Sequence, residues 1–74
     1  MSGADLARAM TRLGYRISRQ SGSHIRMSLD SEPQHHLTIP AHAVLKTGTL
    51  AAILSMTADR LNLSRDELLS ALKL

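Results

Sequence analysis

Residues 14–30, GYRISRQSGSHIRMSLD, decide the architecture, because two runs of alternating apolar and polar residues flank a Ser-Gly-Ser turn. Tyr15 to Gln20 and His24 to Leu29 read as the two strands of a hairpin. Successive side chains on a strand point to opposite faces, so register decides which residues meet. A three-residue loop, Ser21 to Ser23, pairs Ile17 with Met27 and Tyr15 with Leu29. It also sets Gln20 opposite His24, Ser18 opposite Arg26, and Arg16 opposite Ser28. One face of the hairpin is then apolar and the other polar, with His24 on the polar face.

The pattern extends on both sides. Asp30 to Gln34, with Pro33, forms a second loop, and His36 to Pro40 is a third strand. Leu37 and Ile39 join the apolar face, while His36 and Thr38 join His24 and Arg26 on the other; His24 lies on the central strand. Upstream, Leu6, Met10 and Leu13 recur at helical spacing. Ser2 with Asp5 resembles a capping box, Met1 and Leu6 take the staple positions, and Gly14 ends the helix. Downstream, Thr47 can cap a helix whose stripe is Leu50, Ile53, Leu54, Ala58 and Leu61. Ser64 opens another, with Glu67 closing a capping box and Leu63 and Leu68 at the staple positions. The fold class expected is α+β, a three-stranded antiparallel sheet with helices on one face in the order α-β-β-β-α-α.

Composition narrows the function classes. A chain of 74 residues makes one domain with a small core, and its one aromatic residue, Tyr15, leaves that core to Leu, Ile, Val, Met and Ala. Cysteine is absent, and there is neither a long apolar run nor a charged-then-apolar leader, so the expected location is the cytoplasm, with no membrane association. A net charge of +3 suits an anionic partner, nucleic acid first.

Several residues are placed for chemistry on such a partner. A histidine held on a rigid strand beside arginines suits acid-base work on a phosphodiester, since His titrates near neutrality and Arg matches phosphate geometry. A neutral His24 could take the proton of a ribose 2′-hydroxyl, with Arg26 or Lys46 stabilising the developing charge; His36 is the same-face candidate for general acid. The plain alternative is that His24 is one more solvated polar residue. Lys46 and the backbone amides after Thr47, with Gly48 allowing close approach, form a candidate phosphate site, against the alternative that Thr47 only caps its helix. Arg8 and Arg12, one turn apart, could track a nucleic-acid backbone or simply face solvent. His35, His36 and His42 fit no zinc spacing, so no metal and no small-molecule cofactor is expected.

The stretches GYRISRQSGSHIRM (14–27), HLTIPAH (36–42) and LKTGTLAAIL (45–54) together resemble the HicA toxin family, small RNA-cleaving proteins of bacterial toxin–antitoxin pairs. The resemblance covers roughly residues 3 to 57 and rests on five pieces in order. These are a short helix ending in Gly, an aromatic residue, the G-S-H turn, a T-I-P strand end with a nearby His, and K-x-G-T-L entering a helix. It implies a double-stranded-RNA-binding-domain-like fold over a single domain, 1–74, with 62–74 as a C-terminal helical extension. It implies a metal-independent endoribonuclease that cleaves mRNA and arrests translation and growth, with His24 as the catalytic residue. The RNA-contacting candidates are Gly22, Ser23, Arg26, Lys46 and Arg16. The partner it implies is a HicB-type antitoxin covering the His24 face. This chain departs from the family in placing Ile25 and Met27 after the motif histidine, where aromatic or basic residues are common, and in carrying Asp30 and Glu32 in the second loop. With no aromatic platform on the polar face, phosphate contacts and shape must carry RNA affinity. Two other readings are a non-catalytic RNA-binding module and a protein-interaction adaptor using Leu68, Leu69 and Leu72.

Overall fold

A computed structural model describes all residues, Met1 to Leu74. Helix α1 (Gly3–Met10) continues as a short 3-10 turn (Thr11–Leu13), followed by β1 (Arg16–Ser21), β2 (His24–Leu29) and β3 (His35–Pro40), then α2 (Thr47–Leu61) and α3 (Arg65–Leu72). The α-β-β-β-α-α order is as expected, and the sheet is antiparallel with β2 in the middle. No helix is long and apolar enough to cross a membrane.

Local chemistry sets the boundaries. The Ser2 hydroxyl accepts from the Asp5 amide, while the Asp5 carboxylate turns to Arg8 instead of closing the box. Gly14 takes the left-handed conformation, φ 96°, that lets the chain leave the 3-10 turn and enter the sheet. At α3 the capping box is complete, with Ser64 and Glu67 bonded reciprocally. Thr47 does not cap α2: it is already helical, and Lys46 holds the extended capping position without a side-chain bond.

The hairpin register is half as expected. Arg16 pairs with Ser28 and Ile17 with Met27, but farther along Arg19 pairs with Arg26, Gln20 with Ile25 and Ser21 with His24. A bulge between Ile17 and Arg19 absorbs the extra residue, so the loop is the two-residue turn Gly22-Ser23 rather than Ser21 to Ser23. Gly22 has φ 56° and Ser23 has no positive φ, the pattern of a II′ hairpin turn. The expected pairings Gln20–His24 and Ser18–Arg26 are therefore corrected. Arg19 moves to the open face and Gln20 turns toward α1. β2 and β3 pair without interruption, placing Thr38 opposite Arg26, His36 opposite Ser28 and Pro40 opposite His24.

The helices cover the other face. Leu6, Met10, Met27, Ile39, Leu68 and Leu72 have essentially no exposure and belong to one apolar cluster with Tyr15, Ile25, Leu37, Ile53 and Leu54. Leu68 and Leu72 are thus unavailable to a partner, and the adaptor reading keeps only the half-buried Leu69 of its three leucines. Arg12 fastens the same region by donating to the Leu72 carbonyl at 2.8 Å, so its guanidinium does not track a nucleic-acid backbone.

Tyr15 and His35 add a pH-sensitive contact on this side. The Tyr15 hydroxyl lies 2.6 Å from His35 Nδ1. Burial pushes the Tyr15 hydroxyl up, so it stays protonated and donates. Burial, then the Arg60 and His36 charges, hold His35 below the usual histidine range, favouring the neutral ring that accepts. A depressed histidine contributes stability above its unfolded value, about 6.5, and loses it as pH falls through the folded value. Melting temperature should therefore drop between pH 7.5 and 5.5, and His35→Asn should narrow that drop. An equal drop in the variant would contradict the assignment.

Candidate active site

His24 owes its position to three constraints. The Gly22-Ser23 turn starts β2 at residue 24, β2 is hydrogen-bonded on both sides, and the Ser23 carbonyl accepts from the Ala41 amide at 2.6 Å. The backbone under the imidazole is thereby fixed between Ser21 and Pro40. Its side chain is exposed and makes no hydrogen bond or ion pair, so both ring nitrogens are free for a ligand.

The same face carries the cations. Arg26 stands two residues along β2 from His24, roughly 7 Å at strand rise, and directly opposite Arg19. Neither guanidinium has a carboxylate or hydrogen-bond partner. Arg16 is different: Nε donates to Asp30 Oδ2 at 2.7 Å and a terminal nitrogen donates to Oδ1 at 3.2 Å. That hydrogen bond, backed by the Asp30 charge, raises Arg16 and holds the Asp30 carboxyl below the usual range. Arg16 lies opposite Ser28, away from the His24 end of the sheet.

Lys46 precedes α2, six residues after Pro40. The chain runs from Pro40, the cross-strand partner of His24, through residues 41–45 to Lys46, and the Gly3–His42 and Leu45–Met1 backbone bonds tie this segment down. The Lys46 side chain is exposed, and the first amides of α2 have no side-chain cap. Gly22 and Ser23 are exposed beside His24, and an added Cβ at Gly22 would meet nothing within 4 Å. Arg8 is exposed and paired with Asp5 at 3.1 Å on the helix side, apart from this group.

His36 shares the face but not the site. It sits opposite Ser28, four residues along β2 from His24, which is about 13 Å at strand rise. One phosphodiester cannot span that interval, so His36 is not the general acid for a reaction at His24. Its Nδ1 instead lies 2.7 Å from Ser28 Oγ, in a chain that continues to Ser18. Arg19 is the residue that sequence reasoning missed. Its proximity follows from the bulge, and no alternation in the polar run Ser18 to Ser23 marks that bulge. No three His, Cys, Asp or Glu side chains come together as a metal-ligand set.

A sequence model of the family described as HicA toxin of bacterial toxin–antitoxin matches residues 3–57. No curated protein and no solved structure matches the chain significantly. The matched region spans α1, the whole sheet and α2 as far as Thr57, and so includes His24, Arg26 and Lys46. With most of the chain matched and the α+β order in agreement, the chain belongs to the HicA toxin family of bacterial toxin–antitoxin systems.

Proposed function

We propose that this toxin is a metal-independent endoribonuclease that cleaves mRNA, with His24 as its catalytic residue and a HicB-type antitoxin as the partner that covers the His24 face. The observation that carries the reading is the unengaged imidazole of His24, held on the central strand beside a tight turn, with two unpaired arginines on the same open face. A buried or hydrogen-bonded histidine would have a structural explanation; this one has no contact to account for it.

The chemistry follows from the groups present. Neutral His24 accepts the proton of a ribose 2′-hydroxyl while that oxygen attacks the adjacent phosphorus; the bond to the 5′-oxygen of the next nucleotide breaks, and that oxygen takes a proton from water. Arg26 and Lys46 supply positive charge where the pentacoordinate phosphate gathers negative charge. Gly22 and Ser23 leave the approach to His24 open, and the Asp30-bound fork of Arg16 marks the far rim of the face. The products are a 2′,3′-cyclic phosphate and a free 5′-hydroxyl. Metal-stripped protein should therefore cut RNA in excess chelator and leave cyclic phosphate ends or their hydrolysis products. Activity that returns only with a divalent ion, or RNA binding without any cutting, would overturn the proposal.

A further inference from the structure

The bulge in β1 creates a feature on the open face beyond His24. Arg19 and Arg26 stand directly opposite each other, and a shallow depression extends from them past Ser18 and Ser28 to His36. Like charges placed opposite one another on a sheet destabilise it. The nearest engaged carboxylate, Asp30, is already held by Arg16, so the free chain does not neutralise the pair. A bound anion would.

The floor of the depression is rigid and its protons can be assigned. Ser28 is 1% exposed although it lies on the open face, because its hydroxyl is enclosed between Ser18 and His36. The Ser18 hydroxyl donates to the Arg26 carbonyl at 3.2 Å, so it must accept from Ser28 at 2.9 Å. Ser28 has then used its only proton, and His36 Nδ1 must donate to Ser28 at 2.7 Å. In the neutral ring this leaves Nε2 as a lone-pair acceptor, and His36 is exposed.

We infer that this depression is a second backbone subsite for the RNA strand, in which Arg19 takes a phosphate outside the cleaved linkage, next to the one Arg26 neutralises, and His36 Nε2 accepts from a ribose 2′-hydroxyl. The arginine pair lies roughly 7 Å from His24 along the strand, and His36 about 13 Å, intervals of the order of successive nucleotides of one extended strand. The lining contains no hydrophobic side chain. Surfaces that bind nucleic acid are polar and cationic, and the depression has that character.

This inference rests on the RNA-cleaving reading, and its test separates the two by measuring binding instead of cutting. A short single-stranded oligoribonucleotide and its all-deoxy counterpart would be titrated at several salt concentrations against His24→Ala and against His24→Ala carrying Arg19→Gln. Loss of one phosphate contact should flatten the log–log salt slope by about 0.7. His36→Ala, in the same background, should narrow the preference for RNA over DNA. Arg19→Gln relieves repulsion, so its melting temperature should equal or exceed the parent value; if that variant fails to fold, Arg19→Ala reads the same contact. An unchanged slope and an unchanged RNA preference would remove the subsite while leaving His24 in place. Weakened antitoxin binding with RNA binding intact would assign the depression to the antitoxin and overturn the inference. RNA binding to neither protein would defeat the RNA reading itself.

Discussion

Replacing His24 by alanine should lower RNA cleavage by about two to four orders of magnitude, the usual contribution of a positioned general base, and abolish growth arrest on expression. The fold should survive. The imidazole is exposed, makes no hydrogen bond, and stands on a strand whose two ladders are backbone-bonded. Surface substitutions of this kind stay within about 0.5 kcal/mol, so thermal unfolding should be nearly unchanged. RNA affinity should also persist, because Arg26 and Lys46 remain. A folded variant that cuts RNA at the parent rate would remove His24 from the chemistry, and a variant that melts far below the parent would show a structural role.

Gly3→Ala should have the largest effect on stability. A Cβ at Gly3 would sit 1.8 Å from the Pro40 carbonyl oxygen and 2.8 Å from its carbon, and these are backbone atoms that no rotamer change can move. The Gly3 amide also donates to the His42 carbonyl at 2.9 Å, so the start of α1 is held against the end of β3. Making room means lifting α1 off the sheet and uncovering Leu6 and Met10, both without exposure. Overpacking costs about 1–3 kcal/mol or more. A single core in a domain this small rarely supplies more than about 3–5 kcal/mol, so a large share of the molecules should unfold. Gly48→Ala is the matched control: its Cβ meets nothing within 4 Å, and alanine favours a helix over glycine by about 1 kcal/mol at most. Denaturant midpoints for the two variants should move in opposite directions, and an unchanged midpoint for Gly3→Ala would contradict the packing described.

The contrast between these residues shows what the sequence reveals and what it conceals. The faces of β2 and β3 are legible because Ile25, Met27, Leu29, Leu37 and Ile39 fix the alternation, and every one of them is buried. In β1 only Ile17 carries that signal before the polar run Ser18 to Ser23 begins, so a one-residue bulge leaves no mark in the pattern. The pattern therefore does not place Arg19 beside Arg26. It does place His24, since β2 sets that position independently of β1. Thr47 looks like a cap because threonine often is one, yet a capping residue is defined by its backbone, and the extended conformation falls at Lys46. Arg12 reads as part of a polar helix face; its acceptor, the Leu72 carbonyl, is 60 residues away in sequence, and no local pattern announces such a contact. The close approach at Gly3 is equally non-local.

If His24 activates a ribose 2′-hydroxyl, cleavage depends on the hydroxyl of the sugar on the 5′ side of the cut. An oligoribonucleotide whose cleaved linkage has been mapped is resynthesised with a single 2′-deoxy sugar on the 5′ side of that linkage, and both are incubated with metal-stripped protein in excess chelator. The all-ribo strand should be cut to a cyclic phosphate, and the substituted strand should stay intact at that position. Equal cutting of the two strands would show that the 2′-hydroxyl is not the nucleophile and would contradict the mechanism.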